Sequence, residues 1–343
     1  MNTLLNTLYI TIEGSYLHLD NETVHIEKDH QTLGRVPLHH LGSIVTFGNV
    51  LLSPKLLSKC AREGRSIAGF DANGRFGFRI EGPVSGNVFL RRAQYDASRS
   101  ADRTIQLARN IVAGKLRNTR TLLRRVARER EEEEKTAMSV VADHITVLLH
   151  RLERAKNIDE IRGIEGEGAR KYFGVLSLML TSSVREAFEF KSRNRRPPTD
   201  RLNALLSFLY TLLTHDAASA LEGVGLDPQE GYLHTVRPGR PSLALDLIEE
   251  FRVMLADRLA LALINRRQIT SEDFQLFPGG AVLLNDKGRK SVLTAYQNKK
   301  SEPIQHPLLK EKIPTGLLLH VQARVLARAL RGEMDEYLPM LFR

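Results

Sequence analysis

Residues 104–112 read TIQLARNIV, and their apolar side chains recur at intervals of three and four positions. This interval is typical of a helix that buries one face. The pattern continues to about residue 130 and separates two parts of the chain with different character. The stretch therefore predicts that a helical domain begins close to residue 96.

The chain before this stretch follows the period of a β-strand. Residues 9–12 and 16–19 alternate in the way that half-buried strands do. One helix interrupts them, because Ser53–Pro54 supplies a cap followed by proline at the first helical position. Asn73–Gly74 lies between two apolar runs and predicts a hairpin. Residues 1–95 are therefore predicted to form a β-rich domain.

The chain after residue 96 is mostly helical in pattern. Residues 269–314 are the exception, since they read as irregular and basic with a strand-like run at 280–284. The predicted fold class is α+β, with a β-rich N-terminal domain (1–95) followed by a larger all-α domain (96–343). Helices are predicted over residues 104–130, 140–155, 159–188, 202–221, 243–264 and 317–330.

The chain carries 50 lysine and arginine residues against 40 aspartate and glutamate residues, a formal net charge of +10. This excess favours a polyanionic partner, because neutralising phosphates releases condensed counterions. A soluble protein with a solvated basic surface is the alternative that charge alone leaves open.

The single cysteine, Cys60, excludes an intrachain disulfide and a zinc site built from several thiolates. It is expected to act as a small buried hydrophobe. No apolar run reaches the about 20 residues that span a bilayer, and the N-terminus lacks the features of a secretory signal. We expect a protein of the reducing cytoplasm that makes no membrane contact.

Glycines surround two glutamates, Glu165 and Glu167, in residues 162–170, which read RGIEGEGAR. Glycine lets another backbone or a ligand come close, but it weakens a helix, so this density of glycine needs a reason. The segment is a candidate for chemistry. A flexible start of a helix is the alternative.

Two further segments carry candidate metal ligands. His234 lies in the loop segment GYLHT, where a histidine is either a ligand or only a polar surface group. Asp246 and Glu249, in the segment LALDLIEEFR, are three positions apart and therefore share one face of a predicted helix. Glu250 is expected at the surface. A solvated helix flank is the alternative for Asp246 and Glu249.

Two carboxylates and one imidazole, without a thiolate, suit a divalent ion of intermediate hardness. Oxygen ligands favour Mg²⁺ and Mn²⁺, and one nitrogen ligand favours Mn²⁺. In a basic protein the expected substrate of such an ion is a phosphodiester. The metal would neutralise phosphoryl charge and could activate an attacking water or 3′-hydroxyl.

These segments together resemble the CRISPR-associated integrase family, the endonucleases of the spacer-acquisition machinery, over almost the whole chain. The resemblance implies that Glu165, His234 and Glu249 are the catalytic residues and the metal ligands. It also places Asp246 close to the site. Residues 195–208, RRPPTDRLNALLSF, are similar to a further family motif, which precedes a helix packed against the active site.

Residues 6–9, 36–41 and 82–87 resemble the subtype I-C branch of this family. One departure is Val253, where many members have proline after Phe-Arg. Proline is tolerated only near the start of a helix, so valine predicts a more regular helix at this point.

The resemblance implies an integrase that inserts short foreign DNA fragments, the spacers, into the CRISPR array. A DNA 3′-hydroxyl attacks a phosphodiester, with Mg²⁺ or Mn²⁺ as the cofactor, and the protein in isolation is an endonuclease. Residues 1–95 would dimerise and residues 96–343 would be catalytic. The implied partners are double-stranded DNA, a second copy in a homodimer, and the small second acquisition protein.

Several basic residues are candidates for contacts with DNA. Arg252 follows Glu249 by three positions and could contact the phosphate from the same helix face, with a solvated arginine as the alternative. Others could follow the DNA backbone without reading its sequence, or could equally form a solvated surface. These are Arg195, Arg196, Lys287, Arg289 and Lys290.

Two other functions stay open from the residues themselves. The same ligands could serve a metal-dependent phosphohydrolase of small nucleotides or RNA, which a preference assay with branched duplex DNA would distinguish. A non-enzymatic DNA-binding scaffold would instead pair the acidic cluster with Arg162 or Arg252. Such a scaffold need not bind manganese.

Overall fold

The structure is a computed structural model, and it describes residues 6–71, 76–80, 82 and 88–342. The predicted hairpin turn at Asn73–Gly74 lies outside the described residues. So does nearly all of the segment 82–87, which resembles the subtype I-C branch.

Two four-stranded sheets and one helix make up the described N-terminal part. Their bounds are β1 (Asn6–Ile10), β2 (Tyr16–Asp20), β3 (Thr23–Lys28), β4 (Gln31–Pro37), β5 (Leu41–Phe47), β6 (Leu51–Leu52), α1 (Pro54–Arg62), β7 (Ser66–Phe70) and β8 (Phe76–Ile80). The inner sheet has the order β1-β5-β7-β8, with β1, β5 and β7 parallel and β8 antiparallel to β7. The outer sheet has the order β4-β3-β2-β6, in which the β4–β3 and β3–β2 pairs are antiparallel and β6 is parallel to β2. The predicted β-rich character is confirmed.

Helix α1 begins where the sequence predicts. The Ser53 hydroxyl accepts a hydrogen bond from the Leu56 amide at 3.2 Å, and Pro54 is the first helical residue. The helix turns Leu56 and Cys60 into the N-terminal core. Cys60 is fully buried, as expected, and burial raises the pKa of its thiol to about 11. A thiol in this state is a packing group and not a nucleophile.

The inner sheet lies between two hydrophobic cores, because successive residues of a strand face opposite sides. Ile44 and Ile67 pack in the N-terminal core with α1 and the outer sheet. Their neighbours Val45 and Ala68 pack in the larger core, which the helices form. The two parts of the chain therefore share this sheet.

The remainder of the described chain is mostly helical. Its helices are α2 (Val88–Arg99), α3 (Ala101–Ala127), α4 (Glu132–Glu153), α5 (Ile158–Val175), α6 (Ser182–Arg185), α7 (Arg201–Val224), α8 (Ser242–Phe251), α9 (Arg258–Asn265), α10 (Asp286–Ser301) and α11 (Leu318–Leu330). Two small antiparallel sheets interrupt them. One pairs β9 (Phe274–Leu276) with β10 (Val282–Leu284), and the other pairs β11 (Pro303–Gln305) with β12 (Lys312–Pro314).

Three predicted elements differ from the structure. The region 1–95 was expected to be mostly strand, yet α2 begins at Val88, so the predicted boundary after residue 95 falls inside a helix. The irregular region 269–314 contains the 16-residue helix α10. The predicted helix over 159–188 ends at residue 175, where a short 3₁₀ turn follows. The larger domain is thus mostly helical and not all-α.

A π-helical turn, Arg252–Asp257, joins α8 to α9. The sequence predicts one continuous helix there, and valine at 253 predicts a more regular one, so this prediction is wrong. A π turn is rare and often lies at a functional site. Here Arg252 makes an ion pair with Glu249, and Asp257 accepts hydrogen bonds from the hydroxyls of Tyr172 and Tyr210.

Helix α7 is long and apolar enough to cross a membrane by length and composition, alone among the helices of the described residues. However, 67% of its most apolar window is buried inside the protein. Leu205, Leu209 and Leu213 are completely buried in the larger core. The helix therefore has the character of a central core helix.

Candidate functional site

The segment around His234 is anchored on one buried carboxylate, that of Asp246 on α8. The backbone amides of Tyr232, Leu233 and His234 donate to it at 2.6, 3.0 and 2.9 Å. A Cβ on Gly231 would come within 2.9 Å of Asp246 Oδ2, so only glycine lets the loop approach α8 this closely. Asp246 has no exposed surface, which excludes the solvated-flank alternative for it.

Asp246 also orients the imidazole of His234. The ring Nδ1 lies 2.7 Å from Asp246 Oδ1, and Nε2 lies 3.6 Å from Glu249 Oε1. A carboxylate that accepts from Nδ1–H leaves the Nε2 lone pair free, which is the usual arrangement behind a metal-binding histidine. The family resemblance placed Asp246 close to the site, and the contacts of Asp246 show that it orients the His234 ring.

Glu249 lies buried among cationic groups. Its carboxylate is 2.6 Å from Arg252 Nη1 and 2.7 Å from Lys115 Nζ. Burial alone would raise the pKa of Glu249, but the attraction of Arg252 and Lys115 holds it below its usual range. Only 1% of Glu249 and 8% of Arg252 are exposed, so the solvated alternative is wrong for both.

Lys115 on α3 links the two glutamates, since its ammonium pairs with Glu165 as well as with Glu249. Burial would lower the pKa of Lys115, yet the two carboxylates raise it above its ordinary value. Sequence interpretation missed this residue. Lys115 follows Ile111 and Val112 by four and three positions, so the helical period placed it on the apolar face.

The two glutamates of the glycine-rich segment face different partners. Glu165 meets Lys115, whereas Glu167 pairs with His144 of α4 at 2.7 Å and with Arg151 at 2.9 Å. These hydrogen bonds lower the pKa of Glu167. The segment lies inside α5, so the alternative of a flexible helix start does not apply. Arg162 fixes α5 to the histidine loop by donating to the Leu233 carbonyl at 2.7 Å.

Glycine has different surroundings at three positions of α5. A Cβ on Gly163 or Gly166 would meet nothing within 4 Å, and both positions are exposed. A Cβ on Gly168 would lie 2.6 Å from Leu116 of α3. Gly168 therefore serves helix packing, while Gly163 and Gly166 leave open space on either side of Glu165.

Glu250 was expected at the surface, and the structure corrects this. It is 1% exposed and accepts hydrogen bonds from the Tyr337 hydroxyl and the Met340 amide. Burial raises its pKa to about 8. A helix that is covered on all sides has no solvent face, and the C-terminal segment covers α8 at this point. The hydrophobic periodicity of the sequence could not show that the C-terminal segment covers this face of α8.

A cavity beside Lys115 and Glu165 is bordered by a buried hydrogen-bonded group. The hydroxyls of Tyr172 and Tyr210 donate to Asp257 at 2.9 and 2.7 Å. The Arg252 guanidinium lies over the Tyr210 ring, 5.2 Å from its centroid. Burial raises the pKa of Asp257 to about 6. These contacts hold the π turn and thereby the position of Arg252.

The donor set fits a divalent cation by its chemistry. The Lys115 ammonium pairs with both carboxylates, and the Nε2 of the oriented histidine lies 3.6 Å from one of them, that of Glu249. Carboxylate oxygens with one imidazole nitrogen suit Mg²⁺ or Mn²⁺. Glu165, His234 and Glu249 are therefore the residues that could hold the metal.

Only some of the basic residues that are expected to contact the DNA backbone lie close together. Arg195 lines the cavity beside Glu165, and Arg195 and Arg196 are exposed. Their loop is tied to β10, just before α10, by a 2.8 Å hydrogen bond from the Val282 amide to the Pro198 carbonyl. On α10, Lys287 and Lys290 are exposed, whereas Arg289 is paired with Asp286 and is less available.

A family model described as CRISPR associated protein Cas1 matches residues 8–298. The chain is 54% identical to CRISPR-associated endonuclease Cas1 1 of Moorella thermoacetica, and 49% identical to CRISPR-associated endonuclease Cas1 2 of Rhodospirillum rubrum. Each of these two alignments covers 100% of this chain and 100% of the relative.

Solved structures agree with this grouping. A CAS1 protein from Thermotoga maritima superposes with a TM-score of 0.82 at 26% identity, over 95% of this chain and 97% of that one. A structure described as "Casposase bound to integration product" has a TM-score of 0.85 at 22% identity, over 98% and 93%, and shares the fold. With a family model over most of its length and full-length relatives near half identity, the chain belongs to the Cas1 family of CRISPR-associated proteins.

Proposed function

We propose that this protein is a metal-dependent DNA endonuclease and integrase, which inserts short foreign DNA fragments into the CRISPR array. Glu165, His234 and Glu249 hold Mg²⁺ or Mn²⁺ and are the catalytic residues. The observation that carries the proposal is that Asp246 orients His234 towards Glu249, while Lys115 pairs with both Glu249 and Glu165. The relatives named as endonucleases, at 54% and 49% identity, support the activity.

Each residue of the site has a separate task in this proposal. The bound ion would neutralise charge on the scissile phosphate as a DNA 3′-hydroxyl attacks it. Asp246 keeps the His234 Nε2 free to bind, and Arg252 keeps Glu249 ionised in a buried place. Arg252 would supply positive charge beside the reacting phosphate, where a low-dielectric surrounding strengthens it.

Double-stranded DNA is the proposed substrate, and the exposed residues Arg195, Arg196, Lys287 and Lys290 would contact its backbone. Phosphate contacts of this kind position a duplex without reading its sequence. The net charge of +10 supports a phosphate-dominated interface. Arg289 would contribute less, because it already pairs with Asp286.

The partners and place of action follow from the same proposal. The protein would work in the cytoplasm as a homodimer formed through its N-terminal part, together with the small second acquisition protein. Exposed apolar side chains of that part, Ile12, Leu33 and Leu51, support an interface there. A more distant fold relative is described as a Cas6-RT-Cas1–Cas2 complex, which supports the heteromeric assembly. We also propose the subtype I-C branch for this chain.

The test is strand transfer with branched duplex DNA in Mn²⁺. Glu165→Gln, His234→Asn and Glu249→Gln should each lower the rate by about a hundredfold to a thousandfold, the scale of losing a main electrostatic group of an active site. Glutamine is preferred to alanine at 249, because it leaves no cavity beside Arg252 and Lys115. Loss of the Glu249 charge still costs about 3–5 kcal/mol of stability, so circular dichroism must show that the variant is folded. Glu167→Gln, on the opposite side of α5, is the matched control. Full activity in a folded Glu165→Gln protein would exclude the assignment.

One observation favours a second function. Glu249 pairs with Arg252, as a non-enzymatic DNA-binding scaffold would require. Calorimetric titration with Mn²⁺ separates the two, because a scaffold should show no binding that depends on Glu165 and His234. A preference for mononucleotides over branched DNA would instead indicate a small-molecule phosphohydrolase.

A further inference from the structure

We infer that His18, His25 and Glu27 form a second metal site, on the outer sheet and separate from the candidate active site, which takes a transition-metal ion such as Zn²⁺. Each side chain offers a ligand atom, and these atoms all lie within 4.8 Å of one another. The inference is independent of the proposed DNA chemistry.

The strand register brings the three side chains to one face. His18 on β2 lies directly opposite His25 on β3, and Glu27 is two residues further along β3. Leu17, Leu19 and Val24 point into the N-terminal core, so His18 and His25 point away from it. Opposite residues of an antiparallel pair have Cβ atoms about 5 Å apart, which allows two imidazoles to reach one ion.

The distances already suit coordination. His18 Nε2 lies 3.2 Å from Glu27 Oε1, and the His18 and His25 ring centroids are 5.0 Å apart. Two ligands of a tetrahedral zinc ion, each about 2.1 Å from the metal, are separated by roughly 3.4 Å. Only a small rotation of the rings is therefore needed.

The types of ligand atom determine which metal ions the site favours. Two imidazoles and one carboxylate suit Zn²⁺ and neighbouring transition metals, whereas Mg²⁺ favours a set in which oxygen ligands predominate. Three protein ligands leave a fourth position for water or for a group of another molecule. His18 and Glu27 are only partly exposed, with 26% and 31% of their side chains accessible, so the ion would be half enclosed.

Neighbouring groups do not block the site. Tyr16 stacks on His18 with ring centroids 5.4 Å apart and limits the positions that this ring can take. Arg35 on β4 lies opposite His25, but it is exposed and can extend its charge into solvent. The carboxylate of Glu27 offsets part of that charge.

The site would clamp a hairpin whose turn is strained. Asn21 and Glu22, between β2 and β3, have φ values of +43° and +61°. A two-residue turn of this kind is common in hairpins, but a positive φ is unfavourable for glutamate. A metal that joins His18 to His25 and Glu27 would hold both strands on either side of the turn.

The experiment measures Zn²⁺ binding by competition with a chromophoric chelator, on the full chain carrying His234→Asn so that the active-site histidine cannot contribute. Adding His25→Asn or His18→Asn should weaken zinc binding more than about tenfold, since loss of outer-shell partners alone reaches that scale. The matched control is His30→Asn, in the exposed turn between β3 and β4, where φ is +63° and asparagine is well tolerated.

Two further measurements complete the test. Co²⁺ bound to the parent should give the visible absorption of a low-coordinate cobalt ion, and His25→Asn should remove it. Circular dichroism must show that each variant is folded, and two independent histidine variants guard against one failing to fold. A parent that binds no zinc, or folded His18→Asn and His25→Asn proteins that bind zinc as tightly as the His30→Asn control, would overturn the inference.

Discussion

Lys115 neutralises the two glutamates of the candidate site by pairing with both of them. Its ammonium lies between the carboxylates of Glu165 and Glu249, two of the proposed metal ligands. A metal bound there and the ammonium would repel each other at short range. On the proposed function, metal binding would therefore compete with the Lys115 ion pairs, which neutralise the two carboxylates.

Lys115→Met should change stability and metal binding in opposite directions. Without metal, the variant should lose about 3 kcal/mol of unfolding free energy, because a buried carboxylate loses its partner. The Mn²⁺-induced rise in Tm should be larger than in wild type, equivalent to at least a tenfold gain in affinity, or about 1.4 kcal/mol. Thermal denaturation with and without Mn²⁺ measures both, and Lys171→Met, at an exposed position of α5, is the control. An equal or smaller Mn²⁺ effect would show that Lys115 does not compete with the ion.

His215 on α7 makes stability depend on pH. It is buried against Phe70 of the inner sheet, and burial lowers its pKa from 6.5 to about 4. Between these two values the unfolded chain binds a proton that the folded chain does not, so stability falls as the pH falls from 6.5 towards 4. At pH 5 the loss should be about 2 kcal/mol relative to pH 8.

His215→Phe should remove this part of the pH dependence and keep the ring packing. Urea unfolding at pH 8 and pH 5 gives the difference between wild type and variant directly. His150→Gln is the control, because the His150 side chain is 71% exposed on α4. The same pH dependence in wild type and His215→Phe would contradict the argument.

The sequence predicted single residues best where a local rule applied. Spacing placed Asp246 and Glu249 on one helix face, and the family motif distinguished Glu165 from Glu167. It did not predict that Lys115 would meet both glutamates or that Glu250 would be buried. Both depend on which other element covers a helix face, and the partners of Glu250, Tyr337 and Met340, lie about 90 residues further along the chain.

At the scale of elements, α5 carries two glycines, which are weak helix formers, on either side of the proposed metal ligand Glu165. Gly163 and Gly166 flank Glu165, are exposed, and have open space where a Cβ would stand. Exposed glycine inside a helix costs roughly 0.5–1 kcal/mol relative to alanine. No packing contact with the residues that the structure describes explains this cost, so the free space is expected to admit the DNA backbone beside Glu165.

Gly163→Ala and Gly166→Ala should each raise the unfolding free energy by about 0.5–1 kcal/mol and reduce strand transfer. Gly168→Ala should lower the unfolding free energy by about 1–3 kcal/mol, because its methyl group would overlap Leu116. Urea unfolding and strand-transfer rates of the three variants provide the comparison. Stabilised Gly163→Ala and Gly166→Ala proteins with undiminished activity would show that DNA does not use this space.

Elements with strong local signals were predicted, and those set by tertiary contacts were not. The capped helix α1 and the apolar helices α3 and α7 lie where period and capping place them. The π turn after α8 has no local signal, because Tyr172 of α5 and Tyr210 of α7 hold it from other parts of the structure. Helix α10 was missed for a related reason. It is polar, and only Val292, Leu293 and Tyr296 among its large side chains are buried.

At the scale of the whole molecule, the two predicted domains are not independent in packing. The inner sheet supplies residues to both cores, and its Phe47 and Phe70 contact Phe208 and His215 of α7 at ring distances of 6.1 Å. Composition and hydrophobic periodicity show where the strands end and the helices begin along the chain. They cannot show that one sheet has two buried faces.

The full chain should therefore unfold in a single cooperative transition. Removing residues 1–87, which leaves α2 intact, would expose the face of α7 that Phe47 and Phe70 cover, and burying one such side chain contributes about 1.5–3 kcal/mol. A fragment of residues 88–343 should bind hydrophobic dyes and unfold without a sharp transition, because its core lacks that cover. For the full chain, calorimetric and van't Hoff enthalpies should agree, and far-ultraviolet and near-ultraviolet dichroism should change together. Two separate transitions, or a fragment that unfolds as sharply as the full chain, would instead show that the shared sheet does not couple the two parts.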